Sequence, residues 1–243
     1  MIHRNLRLAL VASTMLFGFA GAANAALIVS AAVGGAPTGV SYVNFDNLLL
    51  GGAGGVSGGV TVTITADGGV VTGAADGLYA PPYISGSNGA LFGDATVLGP
   101  DTTKYLTTGR VPGSVTITFP GLEMYMGLLW GSVDDFNNLD FYNGATLVGS
   151  VNGLSVQPLA TGDQGVLGTF YANITSTLAF DRVVATSTSY AFEFDNVAYN
   201  PTIPNQGVPE PLSLGLLGLL GLGIVGLGLT RGRKGTSLSN RSV

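Results

Sequence analysis

Aspartate and asparagine residues near both ends of the central region provide one candidate metal site in this sequence. The segments 44–47 and 193–196 share a Phe-Asp-Asn core. If the first and last strands of a sheet pair, Asp46 and Asp195 approach each other, and two close carboxylates need a cation between them. Calcium suits such an all-oxygen site. The alternative, which the pattern alone favours, is that these residues cap strand ends and form turns.

A second acidic cluster combines Asp134 and Asp135 with Asp140, with Asn137 and Asn138 between them. At one edge of a sheet these side chains could bind calcium or accept hydrogen bonds from sugar hydroxyls. The spacing differs from the D-x-D-x-D-G loop and distant Glu of an EF-hand. A solvated turn is therefore the favoured alternative.

Four aromatic residues are candidates for stacking against a sugar ring, whose apolar face matches a flat aromatic side chain. Trp130, the only tryptophan, lies near Tyr142 in sequence, and Tyr79 and Tyr83 flank a Pro-Pro pair. Trp130 alternates with Met126 and Leu128 along one face of a predicted strand, so core packing is the favoured interpretation for it.

Composition argues against most enzyme classes. The chain has 243 residues and no cysteine, which excludes disulfides, thiolate metal sites and cysteine nucleophiles. The single histidine, His3, lies in a segment that we expect to be removed, so the usual general base is missing. Only a carboxylate pair that includes Glu123 or Glu193 could support hydrolysis. The sequence therefore predicts a protein that is not an enzyme.

Charge is distributed unevenly along the chain. Residues 26–208 contain three basic and thirteen acidic residues, a net charge of −10, whereas both chain ends are basic. An acidic region without a basic stripe repels phosphate backbones. We therefore expect no nucleic-acid partner.

Short runs of β-branched and aromatic residues, bounded by Gly, Pro, Asn or Asp, recur through residues 26–200 and predict one all-β domain. In 60–65 (VTVTIT) apolar residues alternate with threonine, so that one face is buried. This pattern predicts an antiparallel β-sandwich. The glycine-rich stretch 51–59 and the insertion 86–103 are predicted loops, and a long insertion such as the second is often where binding occurs. The clearest predicted strands are 60–65, 114–119, 124–130, 139–142, 146–151, 166–172, 182–186 and 190–199.

Residues 1–25 have the organisation of a secretory signal peptide. Basic residues precede an apolar stretch of about a dozen residues, which is too short to span a membrane. Ala23 and Ala25 form the small-x-small site that signal peptidase recognises, which predicts Ala26 as the new N-terminus.

The C-terminal end combines a spacer, an apolar span and basic residues. A proline-rich spacer (201–211) precedes an uncharged segment (212–230) that is long enough for a transmembrane helix. The tail 231–243 begins with three basic residues, Arg231, Arg233 and Lys234. These charges predict a stop-transfer signal that keeps the tail in the cytoplasm.

The order of these C-terminal elements resembles the PEP-CTERM sorting signal of Gram-negative bacteria that make exopolysaccharide. Val208, Pro209, Glu210 and Pro211 match its motif, followed by the Leu/Gly-rich span and the basic cluster. The resemblance implies that an exosortase-type membrane protease recognises the motif, removes the tail and passes the protein to the cell surface or matrix. A permanent C-terminal membrane anchor is the alternative.

Residues 125–151 and 180–199 are also similar to the jelly-roll ectodomains of many PEP-CTERM proteins, which resemble carbohydrate-binding and galactose-binding-like modules. The similarity rests on the Leu-Trp-Gly-Ser step at 129–132, on 140–142 and on 194–197. Together these features predict an exported surface or extracellular-matrix protein with a structural or adhesive role in exopolysaccharide or biofilm. The alternative is a carbohydrate-binding module that recognises the exopolysaccharide. No cofactor is expected other than structural calcium.

Overall fold

β-Strands and the loops between them make up most of the described chain. The computed structural model describes residues 26–32, 34–94 and 98–205. The predicted signal peptide, PEP motif, transmembrane segment and basic tail lie outside these residues. Among the described residues, no helix has the length and apolar character needed to cross a membrane. The prediction of an all-β fold is confirmed.

The described residues form thirteen strands and one single-turn helix. In chain order these are β1 (Leu27–Ala32), β2 (Ser41–Val43), β3 (Gly54–Ser57), β4 (Val60–Thr65), β5 (Gly69–Val71), β6 (Tyr83–Ile84), β7 (Gly99–Pro100), β8 (Tyr105–Thr107), β9 (Ser114–Gly131), β10 (Asn137–Asn143), β11 (Thr146–Asn152), α1 (Gly153–Val156), β12 (Phe170–Ser187) and β13 (Glu193–Asn200).

Eleven strands form one antiparallel sheet with the order β11-β10-β12-β9-β13-β8-β5, and β6 pairs only with β7. Outside this order, β1 pairs with β12, β2 with β13, and β4 with both β3 and β9. The first half of β9 lies between β4 and the second half of β12, whereas its second half lies between β13 and the first half of β12. The two long strands therefore change neighbours halfway along.

Burial follows the alternation predicted for β4, in which Val60, Val62 and Ile64 are buried and the threonines between them are exposed. These residues belong to a large apolar cluster that draws on both halves of β9 and β12. Phe119 contacts Phe180 and Tyr199 at ring-centroid distances of 5.6 and 5.2 Å. The two halves of these long strands therefore contribute side chains to one core.

The opposite face of the β9, β12 and β13 region is also covered. Tyr125, Leu129 and Tyr171 from this face form a second buried cluster with Ile84 and Phe92. The last two residues come from the end of β6 and from the insertion predicted at 86–103. Because this face is packed rather than solvated, polar groups on it are removed from water.

Several predicted boundaries are wrong. The predicted strands 114–119 and 124–130 are parts of β9, and 166–172 and 182–186 overlap the single strand β12. The stretch 51–59 is not simply a loop, because it contains β3, which pairs with β4. At Gly54 an added Cβ would lie 2.1 Å from the Val62 carbonyl oxygen, so only glycine permits this approach.

Candidate functional site

Three aspartates from two distant parts of the chain meet beside β13. One carboxylate oxygen from each of Asp94, Asp101 and Asp195 lies within 4.8 Å of the others. Their side chains are 7%, 3% and 0% exposed. We call this group the aspartate triad. Carboxylates are almost never fully buried unless they are paired, so the arrangement needs an explanation.

A β-bulge in β13 places two successive polar side chains on the triad side. The register with β9 slips between Asp195 and Ala198, and Asn196 has a φ of +52°. Phe194 and Val197 lie in the large core. The two residues between them, Asp195 and Asn196, face the insertion 86–103. Bulges commonly redirect side chains at functional sites, and asparagine tolerates positive φ better than most residues.

Local hydrogen bonds satisfy only part of this site. The amide nitrogen and hydroxyl of Thr103 donate to Oδ1 of Asp101 at 2.8 and 2.6 Å. The Asn196 Nδ2 group donates to Oδ2 of Asp94. Five other buried oxygens lack a partner among the described residues, namely Asp94 Oδ1, Asp101 Oδ2, both Asp195 carboxylate oxygens and Asn196 Oδ1.

Burial makes ionisation of Asp94 and Asp195 unfavourable. It raises the pKa of Asp94 to about 6, and the neighbouring Asp101 and Asp46 charges raise it further against the hydrogen bond from Asn196. Burial also raises the pKa of Asp195 well above its usual range, with Asp101 and Asp94 adding repulsion. The triad is therefore strained by desolvation and like charge unless a cation or protons compensate it.

Asp46 is not a member of the carboxylate group around Asp195, which contains Asp94 and Asp101 instead. Strands β2 and β13 do pair, with Val43 opposite Val197. However, the Asp46 carboxylate accepts hydrogen bonds from the Lys104 amide and from Asn44 Nδ2, at 3.0 and 3.2 Å. Asp195 lies inside β13 among other aspartates rather than in a turn.

The predicted second cluster does not come together in the described residues. Asp140 lies in β10 and accepts hydrogen bonds from Asn138 Nδ2 and the Ser150 hydroxyl at 2.8 and 2.5 Å. Asp135 is exposed, and Asp134 instead lines a separate cleft. Their separation follows from the turn at 135–136, because β10 begins after this turn and contains Asp140 but neither Asp134 nor Asp135.

This cleft has a volume of about 440 Å³ and is lined mainly by polar groups. Glu193 at the start of β13 forms its buried end, where its two carboxylate oxygens accept hydrogen bonds from the Ser132 hydroxyl at 2.5 Å and the Ala80 amide at 3.1 Å. Tyr79, Asp134 and Tyr190 line the same space. No lysine or arginine is among the lining residues.

Three carboxyl groups line the cleft, those of Asp76, Asp134 and Glu193, and burial raises the pKa of the last two toward neutral pH. Burial raises the pKa of Glu193 to about 7, despite the hydrogen bonds from Ser132 and Ala80. Burial raises the pKa of Asp134 to about 6, and the adjacent Asp135 charge contributes. At neutral pH the pair can therefore both donate and accept hydrogen bonds.

Of the four predicted sugar-stacking aromatics, only Tyr79 lines this cleft. Trp130 is fully buried and stacks on Phe192 at 4.3 Å, as the core-packing interpretation predicts. Tyr142 lies under the Arg182 guanidinium at 4.4 Å, and Tyr83 pairs with Pro100 in the small β6-β7 ladder.

Sequence reasoning did not identify Asp94 and Asp101 as partners of Asp195. Both lie in the insertion 86–103, for which the sequence predicts binding only in general terms. The available signal was a long insertion containing two aspartates, together with an Asp-Asn pair that interrupts the apolar alternation of β13.

Comparisons with protein-family models, with curated proteins and with solved structures give no match to this chain.

Proposed function

We propose that this chain is an exported surface or extracellular-matrix protein of a Gram-negative bacterium, without enzymatic activity, whose adhesive role rests on carbohydrate binding in the Glu193 cleft. The signal-like N-terminal segment and the PEP-CTERM-like tail support export and sorting. The single observation that carries the binding function is the open, polar cleft without basic residues.

The body that presents this cleft is, in our proposal, a β-sandwich of the jelly-roll type. Two features support the sandwich: β9 and β12 exchange neighbours halfway along, and the two halves contribute to one apolar core. Folding a sheet over at the middle of two long strands buries one face of each half against the other.

The chemistry of the cleft favours an uncharged polyhydroxylated ligand. Carboxyl groups such as Glu193 and Asp134 accept hydrogen bonds from hydroxyls, and a half-buried tyrosine such as Tyr79 offers an apolar face. A phosphate, sulfate or uronate group would meet like charge, and the guanidinium of Arg110 stacks on the Tyr190 ring at 5.2 Å without lining the cleft. Neutral hexose residues of an exopolysaccharide fit these requirements.

Retention of the full chain, solubilised in detergent, on immobilised neutral and acidic polysaccharides tests this function. We expect Tyr79→Ala and Asp134→Asn to reduce retention on a neutral polysaccharide at least about fivefold, since loss of one good stacking or charged hydrogen-bond contact costs about 1–3 kcal/mol. Tyr142→Ala is the matched control, because this tyrosine is also half-buried but does not line the cleft.

If no neutral polysaccharide retains the protein, carbohydrate binding is contradicted and a purely structural role in the matrix remains. If the protein released new reducing ends from a polysaccharide and Glu193→Gln abolished this release, the protein would be a glycoside hydrolase. That result would contradict the non-enzymatic proposal.

Export and sorting are tested by the intact mass of the protein from envelope and medium, with the processing protease present and deleted. We expect a species that begins at Ala26 and ends near Pro209-Glu210-Pro211 only when the protease is present. A chain that retains Val243 in both strains would contradict sorting and support a permanent anchor.

A further inference from the structure

We propose that Asp94, Asp101, Asp195 and Asn196 bind one calcium ion that fastens the insertion 86–103 to β13. This site is separate from the sorting signal and does not depend on carbohydrate binding in the cleft. Its function is to hold together two parts of the chain that lie about a hundred residues apart in sequence.

The charge of the triad is the first reason. Three carboxylate side chains, each at least nine-tenths buried, come within 4.8 Å of one another. Lys104 does not neutralise them, because its ammonium group donates to the main-chain carbonyl oxygens of Asp46 and Leu48 at 2.5 and 2.8 Å. Buried charges without a partner are very costly, whereas a divalent cation compensates two of them at once.

Unpartnered oxygens are the second and independent reason. Asn196 is neutral, completely buried and anchored to the triad through its Nδ2 contact with Asp94, yet its Oδ1 has no hydrogen-bond partner. With the four unpartnered carboxylate oxygens of the triad it makes five buried acceptors that lack a partner at this site. One proton shared between two carboxyls satisfies only two of these five oxygens, whereas a cation with 6–8 oxygen ligands satisfies all five with one or two waters added.

The donor set selects calcium among common cations. All donors are carboxylate or amide oxygens, which exclude metals that prefer nitrogen or sulfur ligands. Magnesium demands a near-ideal octahedron and retains most of its waters, and the triad is almost closed to solvent. Calcium tolerates irregular geometry, including the bulge that places Asp195 and Asn196 side by side.

The site adjoins the carbohydrate cleft without being part of it. Asp101 lines a second cavity of about 640 Å³, which shares Ala74, Ala80 and Gln164 with the cleft. Loss of calcium is therefore expected to loosen one wall of the cleft while leaving Glu193 and Asp134 in place. Failure of carbohydrate binding alone leaves the calcium proposal intact.

The test uses the full chain purified in detergent, stripped with chelator and then titrated with calcium or magnesium. Equilibrium dialysis should give one calcium per chain with a Kd of about 10⁻⁴ M, in the range of extracellular modules. Thermal unfolding, followed through the fluorescence of the buried Trp130, should shift upward by about 5–10 °C at a hundredfold excess of calcium over Kd.

Asp195→Asn and Asp101→Asn should abolish this shift, whereas Asp135→Asn, which changes an exposed acid outside the triad, should keep it. In chelator Asp195→Asn should melt at the same temperature as the parent or higher, because it removes like-charge repulsion, and this separates lost binding from misfolding.

Trypsin gives a second readout that needs no variant. The described residues contain three basic sites, of which Lys104 directly follows the insertion. Chelation should increase cleavage after Lys104 at least tenfold, and calcium should reverse it. The proposal is overturned if calcium neither binds nor shifts melting, if magnesium binds more tightly, or if Asp135→Asn removes the shift while Asp195→Asn retains it.

Discussion

Asn196 combines two roles at one residue, because it holds the backbone of the bulge at positive φ and directs an amide toward the aspartate triad. Asn196→Gly keeps the backbone conformation and loses the amide, whereas Asn196→Ala loses both. In chelator we expect the alanine variant to be less stable than the glycine variant by about 1 kcal/mol, the usual cost of placing a β-carbon at positive φ. Urea unfolding followed by tryptophan fluorescence measures the difference. Equal stabilities would mean that the bulge relaxes when the side chain is removed.

Substitution of Trp130, the only tryptophan, tests whether this side chain packs in the core or stacks against a sugar ring. Trp130→Ala should lower the free energy of unfolding by about 3–5 kcal/mol, since it removes a fully buried ring stacked on Phe192. Trp130→Phe keeps an aromatic ring and removes an indole N–H that has no hydrogen-bond partner, so it should cost less. Circular dichroism during denaturation provides the measurement. Loss of polysaccharide retention in a folded Trp130→Phe protein would contradict the core assignment.

Part of the site was accessible from the sequence because strand patterns carry burial information. The Phe-Asp-Asn repeat singled out Asp195, which is completely buried, and alternation correctly placed Trp130 in the core. The Asp94 and Asp101 partners were not accessible, since their approach to β13 depends on how the insertion folds across a sheet face. Asp46 illustrates the same limit, because its hydrogen-bond donor Lys104 lies 58 positions away.

The pairing of the glycine-rich strand β3 with β4 depends on a missing side chain. At Gly54 a Cβ would collide with the Val62 carbonyl, whereas at Gly51 nothing lies within 4 Å, and both residues have positive φ. Gly54→Ala should therefore cost about 1–3 kcal/mol more than Gly51→Ala, because it adds a steric clash to the same kind of backbone strain. Chemical denaturation of both variants measures this difference. Equal losses would show that β3 shifts away from β4 at little cost.

Element boundaries were predicted well where polar and apolar residues alternate and poorly where a strand bends. Pro120 and Gly121 separate the two predicted strands 114–119 and 124–130. However, β9 continues through both residues and changes its partner strands there. The same applies to β12, whose register with β9 slips around Phe180. Local sequence specifies where the ladder is interrupted, but only tertiary pairing decides whether the strand ends.

The molecule as a whole is acidic over residues 26–208, with a net charge of −10, yet its cleft is proposed to bind a neutral ligand. Hydrogen bonds and apolar contacts to hydroxylated rings involve little counterion release, whereas binding to a polyanion depends steeply on salt. Retention on the neutral polysaccharide should therefore change by less than about twofold between 50 and 500 mM NaCl at constant calcium, since an uncharged ligand offers no ionic attraction for salt to screen. A DNA column should retain nothing at either salt concentration. A tenfold loss of retention with salt would identify a charged ligand and would contradict the assignment of the Glu193 cleft to neutral carbohydrate.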